Sequence, residues 1–139
     1  MYYPLFIIKK GDKEMIEAYS QNVTVPSEST IPFNNVSLLK GHTTTHPSVS
    51  SFDLNSCGIY MVSVDISSTA DVTVALYKDG VEQPQTLSTG GTNISFTTLV
   101  QVGRNNSCCA CASPVTIDVR NVGTTEATLD ANIVITKII

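Results

Sequence analysis

The sequence predicts an all-β protein, a sandwich or a barrel. Apolar residues recur in twos along most of the chain, and turn residues interrupt them about every ten positions. The third observation is compositional. Only 14% of the 139 residues are charged, while 42% are apolar, against an ordinary charged share of about a quarter. Ser, Thr and Asn fill the gap, and Thr suits a pleated, half-buried surface. The length fits one domain able to bury a core without staples.

The elements follow in order. Asp12 to Tyr19 (DKEMIEAY) is the one helix candidate. It is short for a helix, and a strand or loop fits it equally. Gln21 to Val25 reads as a strand running into Pro26. Ile31 to Leu39 has Pro32 near its start, which suits an edge or opening strand. Gly58 to Ile66 alternates, with Tyr60, Val62, Val64 and Ile66 on one face. Ile59 and Met61 make its other face partly apolar. Asp71 to Lys78 sets Val72, Val74 and Leu76 against Thr73, Ala75 and Tyr77. Asp79-Gly80 then marks a tight hairpin, and Gly90-Gly91 marks a further break. Asn93 to Val102 directs Ile94 and Phe96 inward. Val115 to Val119 alternates, Asn121-Val122-Gly123 turns, and Ala127 to Ile138 forms the last strand. Roughly seven to nine strands result.

Charge and targeting patterns exclude several classes. Net charge is −4, with a pI near 4.9. Lys9, Lys10 and Lys13 are offset by Asp12, Glu14 and Glu17, so phosphate neutralisation has no footprint and nucleic acid is not an expected partner. The opening MYYPLFIIKKGDKE lacks a basic start and a cleavage pattern, so it does not read as a signal peptide. No apolar run approaches the length of a membrane span. The expectation is synthesis in a host cytoplasm.

Several positions together resemble the trimeric jelly-roll family of tumour necrosis factor and the complement globular heads. The likeness is greatest to its bacterial and phage branch, which includes the C-terminal domains of exosporium collagen-like glycoproteins. Val25-Pro26, Ile31-Pro32-Phe33-Asn34 and Lys40-Gly41 look like its opening. Ser51 to Leu54 and Cys57 to Val62 look like its G-x-Y-x-V strand entry. Val74 to Gly80 looks like the next hairpin, and Ala131 to Ile138 like the closing strand. The resemblance covers about Asn22 to Ile139. It implies a TNF-like jelly roll, 21–139, whose copies pack side by side as a homotrimer. The collagen-like stem is missing. A short extension, 1–20, precedes the domain instead, as an N-terminal docking segment or a first strand.

Candidate chemistry is sparse. Cys108-Cys109-Ala110-Cys111 lacks the C-x-x-C pairs of a closed zinc site. Free thiols are the expected state for these and Cys57, with a disulfide to Cys57 as the alternative. His42 and His46 flank three threonines and Pro47, so the helix that makes H-x-x-x-H a zinc motif is not expected. They read as polar strand residues. The carboxylates are scattered, and no nucleophile elbow, nucleotide loop or calcium loop appears. Four Asn-x-Ser/Thr matches read as chance in an Asn/Ser/Thr-rich chain. No enzyme activity, cofactor or metal is expected.

Tyr2, Tyr3, Leu5, Phe6, Ile7 and Ile8 form an apolar N-terminus, either a first strand or an anchor onto a partner. Ile59, Met61 and Val134 are candidates for the trimer interface. The function expected is that of a bacteriophage virion structural protein. It would be a homotrimeric capsid decoration or head-fibre protein on the virion surface, bound to the major capsid or another virion protein. The alternative is a receptor-binding or spore-surface module that recognises host carbohydrate.

Overall fold

The computed structural model describes residues 13–103 and 113–139. The elements are β1 (Met15–Val25), β2 (Ser29–Thr30), β3 (Asn35–Lys40), β4 (Thr44–Ser48), β5 (Ser51–Leu54), β6 (Gly58–Lys78), β7 (Val81–Glu82), a single 3-10 turn (Pro84–Thr86), β8 (Ser88–Val102), β9 (Val115–Asn121) and β10 (Ala127–Lys137). No α-helix occurs among the described residues.

The strands form one hydrogen-bonded sheet that curls into two layers. The first layer runs β3-β1-β10-β6-β8, and the second runs β4-β5-β9-β6 with β7 and the start of β8. β6 belongs to both. Residues 60–68 pair with β10, and residues 74–78 pair with β9. The corner lies where the apolar alternation lapses. Thr69, Ala70 and Asp71 are small or polar and exposed, and the register to β8 shifts between Ser67 and Val72. Gly91 faces Val72 at the same corner, and Gly90 takes φ +73°, a conformation cheap only for glycine. The expected break at Gly90-Gly91 is therefore a bend inside one strand.

The core fills the space between the layers. Tyr60, Val62, Val64 and Ile66 of β6 point into it with Ile133 and Ile135 of β10, and all are buried. Fully burying one such side chain stabilises the fold by about 1.5–3 kcal/mol. Phe33 and Phe52 meet at 5.7 Å in a tilted pair. The His46 ring stacks on Phe52 at 4.1 Å, with its nitrogens 2.8 Å from the Ser51 and Phe33 carbonyl oxygens. It closes the edge of the sandwich from β4 itself. Asp79 and Gly80 both have positive φ, the backbone of the tight hairpin turn their sequence predicts.

One open reading is settled and one expectation changes. The helix candidate is strand from Met15 onward. Ile16, Ala18 and Ser20 alternate into the core, and pairing to β3 and β10 on both sides overrides any local helical preference. That strand runs through position 20, so residues on either side of it share one ladder. Cys57 is disulfide-bonded, not a free thiol. Spacing gave no basis for that outcome, because the loop geometry that brings two sulfurs together is set by the fold. Cys108, Cys109 and Cys111 lie outside the described residues.

Candidate functional site

The first layer has an outward face that no other element of the described chain covers. Antiparallel partners share a face, so the registers define rows across it. One row reads Lys40, Met15, Thr136, Met61 and Leu99. The next reads Leu38, Glu17, Val134, Ser63 and Thr97. A third runs Tyr19, Asn132, Asp65 and Ser95, and a fourth ends in Asp130, Ser67 and Asn93. Alternate residues of a strand are about 6.8 Å apart, so the face changes character within about 20 Å. One end carries Met15, Leu38, Met61, Leu99 and Val134. The other carries carboxylates, amides and hydroxyls.

At the apolar end, Leu99 is 58% exposed and Leu38 is 46% exposed. Such residues lie where alternation puts them when the core is on the other side of the strand. Of the interface candidates, Ile59 and Met61 point outward on β6 and Val134 points outward on β10, so all three share this face. Tyr2, Tyr3, Leu5, Phe6, Ile7 and Ile8 lie outside the described residues.

At the polar end, a β-bulge sets the geometry. The register of β1 slips between Ser20 and Val23, and Asn22 takes φ +54°. The Asn22 amide then donates to Asp130 Oδ1 at 2.7 Å. The Ser95 hydroxyl donates to Asp65 Oδ1. Asn132 donates to Glu17 Oε2 at 3.3 Å, and Glu17 Oε1 accepts from the Ser37 hydroxyl at 2.9 Å. Between these groups lies a shallow depression of about 370 Å³, crossing β1, β10, β6 and β8. A second, of about 330 Å³, continues from it and shares Ser67 and Asp130. No ion pair among the described residues involves Glu17, Asp65 or Asp130.

Other candidates do not converge. His42 is exposed beside Glu14, 3.9 Å away, while His46 packs into the sandwich edge. Among the described residues, no group of three or more His, Cys, Asp or Glu side chains gathers as a metal site. No helix among them is long and apolar enough to cross a membrane. Sequence reasoning named neither Leu38 and Leu99 nor the Asp65–Asp130 end. Alternation already placed Asp65 opposite the core, but which strands lie side by side is not a local property.

No protein-family model matches the chain, and no curated protein matches it. Solved structures do. The globular domain of the zebrafish complement 1qA protein superposes with a TM-score of 0.65 at 12% identity, covering 92% of this chain and 98% of that one. PRD1 vertex protein P5 gives 0.63 at 10% identity, covering 91% and 97%. Rabbit GITRL gives 0.55 at 12% identity, covering 89% and 94%. The chain therefore has the jelly-roll fold of the tumour necrosis factor and complement-head type.

Proposed function

We propose that this chain is a bacteriophage virion structural protein, a homotrimer that decorates the capsid or forms a head fibre and acts by binding, not catalysis. The observation that carries this reading is the open apolar end of the first layer. Met15, Met61 and Leu99 lie in one row, with Leu38 and Val134 beside it. Exposed apolar side chains gathered at one end of a sheet face, even with Thr136 and Glu17 between them, favour an association site. Closed symmetry consumes such a face without leaving a free copy of it. The likeness in fold to PRD1 vertex protein P5 supports a place on a particle.

In this reading, residues 1–20 contain the particle-docking segment, with Tyr2, Tyr3, Leu5, Phe6, Ile7 and Ile8 as its contacts. They hold the trimer on the major capsid or another virion protein. The polar second layer faces outward.

Light scattering behind size exclusion tests the trimer. The expected mass is three times the 14.9 kDa of one chain, and a monomer at micromolar concentration defeats the reading. Mass spectrometry of purified virions tests the location. A variant lacking residues 1–12 is expected to remain trimeric and to be absent from particles. A second reading, adhesion to carbohydrate, is favoured by the polar end of the same face.

A further inference from the structure

We infer that His46 is a doubly protonated clip on the open edge of the sandwich, and that the β4–β5 edge is released as the ring loses its second proton. This concerns one copy of the chain and stands apart from its assembly.

Both ring nitrogens of His46 face carbonyl oxygens. Nδ1 lies 2.8 Å from the Ser51 oxygen, and Nε2 lies 2.8 Å from the Phe33 oxygen. A carbonyl oxygen can only accept. A neutral imidazole donates through one nitrogen and accepts through the other, whichever tautomer it adopts. It would set a lone pair against one of the two oxygens at hydrogen-bond distance. The imidazolium donates through both nitrogens. Phe52 adds a third influence of the same sign. Its ring lies parallel to the imidazole, 4.1 Å away, and an aromatic face attracts a cation.

No neighbouring charge competes for the ring. Among the described residues, no carboxylate lies within ion-pair reach of His46. β4 carries no other ionisable side chain, and residues 31–34 carry none. Asp53, the ionisable residue of β5, accepts from the Thr116 hydroxyl on β9. Glu14, which meets the residues leading into β4, accepts from the His42 and Thr43 amides. The two carbonyls and the Phe52 ring therefore decide the proton count.

The clip sits where the backbone ladder is weakest. The β4–β5 register slips between Thr45 and Ser48, and the His46 ring bridges that gap to Ser51. Its other bond holds Phe33, whose amide donates to the Val49 carbonyl in the β4–β5 turn at 2.7 Å. Loss of one proton leaves a part-buried carbonyl without its donor, and the edge opens more often. The sign follows from linkage. The folded edge prefers the protonated ring, so the clip is complete in acid and is lost as pH rises past the point where the ring gives up its second proton.

The test follows the ring and the edge together in the full chain. The sequence has two histidines, so His42→Asn, a change at an exposed side chain, identifies the His46 signals. NMR of the isotope-labelled chain at about pH 7, where a free imidazole is mostly neutral, is expected to find a proton on both His46 ring nitrogens. Exchange of the Phe33 amide, corrected for its intrinsic rate, is expected to quicken about tenfold between about pH 6 and about pH 9. His46→Gln keeps a side-chain donor but does not titrate, and is expected to abolish that change. A bare ring nitrogen in the unaltered chain at about pH 7 overturns the inference, whether or not a variant folds. So does Phe33 protection that stays constant with pH, or a pH dependence that survives in His46→Gln.

Discussion

The two layers of the sandwich bury the same kind of core but present opposite outward faces. On the second layer, polar groups close on one another. Asp118 accepts from Arg120 Nε at 2.7 Å and from Nη2 at 3.3 Å. The Arg120 guanidinium lies 4.0 Å from the Tyr77 ring centre, and the Tyr77 hydroxyl donates to Glu82. Thr116 donates its amide to Asp79 and its hydroxyl to Asp53. On the first layer, Glu17, Asp65 and Asp130 also accept hydrogen bonds from their neighbours, but Met61 and its partner Leu99 stand exposed side by side. A face that satisfies itself is finished in the monomer. A face that leaves paired apolar side chains in water is the one the proposed assembly would cover.

The sharpest test of that contrast pairs two substitutions of equal chemistry. Leu99 of the first layer is 58% exposed and Val81 of the second is 63% exposed. In water each is an exposed apolar side chain, and exposure alone predicts the same result for both. The contrast predicts otherwise. Leu99→Asp is expected to yield a folded monomer, since an unpaired charge in an interface core costs several kcal/mol. Val81→Asp is expected to keep the wild-type mass. Analytical ultracentrifugation with far-UV circular dichroism checks both, and dissociation by both variants would erase the difference between the layers.

The next effect concerns what holds both layers together at one end. The Asn121 side chain is fully buried on β9. Its amide nitrogen donates to the carbonyls of Val25, Pro26 and Thr125, and its oxygen accepts from the Gly123 amide. This one side chain ties the end of β1 to the turn between β9 and β10. Asn121→Ala leaves several buried backbone groups without partners and is expected to cost about 2–4 kcal/mol. A urea midpoint that falls with unchanged slope is the expected signature. A shift under about 0.5 kcal/mol, the scale of an ordinary surface change, would mean that the turns hold themselves.

Much of this architecture is legible in the residues, and the illegible part has a physical cause. Alternation gives Tyr60, Val62, Val64 and Ile66 as a buried face, because side-chain direction along a strand is local. Asp79-Gly80 gives its turn for the same reason. The bulge at Gln21-Asn22 is not visible, since the register slip that places Asn22 in a left-handed backbone, with its amide on Asp130, is set by pairing with β10. The candidate site is hidden likewise. Asp65 and Asp130 stand 65 residues apart in sequence, and only the β6–β10 register brings them to one depression. Cys57 shows the limit at a single residue, because cysteine spacing alone does not fix its bonded state.

Tyr60 gives a smaller, pH-dependent effect. Burial pushes its phenol above the ordinary tyrosine range, while its bond to Ser56 partly offsets this. A raised folded value favours the protonated form in the folded state. The stabilisation is therefore complete below the unfolded tyrosine range near pH 10 and is lost as pH rises through the folded value. Unfolding curves between pH 9 and pH 12, a window of about one unit below and two above that range, are expected to show falling stability. Tyr60→Phe should flatten that slope. It should also cost about 1 kcal/mol at neutral pH, because the hydroxyl donates to the Ser56 carbonyl at 2.8 Å. An unchanged alkaline slope would assign the loss to other groups.

The smallest effect is expected where the bonding looks richest. Arg120 and Asp118 make a two-pronged pair whose side chains are 32% and 13% exposed. The hydrogen bond to Asp118 is the main cause that raises the guanidinium above its usual range, against the cost of burial. Much of that attraction is screened at a partly exposed site, so the pair is worth about 1 kcal/mol or less, with about 0.5–1 kcal/mol more from the Tyr77 ring. Arg120→Met keeps the stem over the ring and drops the charge. It is expected to lower stability by about 1 kcal/mol, to leave the mass in solution unchanged, and to lose most of its effect in high salt. A change of mass in solution caused by this variant would reverse the proposed assignment of the two faces, because it would place the proposed interface on the layer that carries the Asp118–Arg120–Tyr77 cluster.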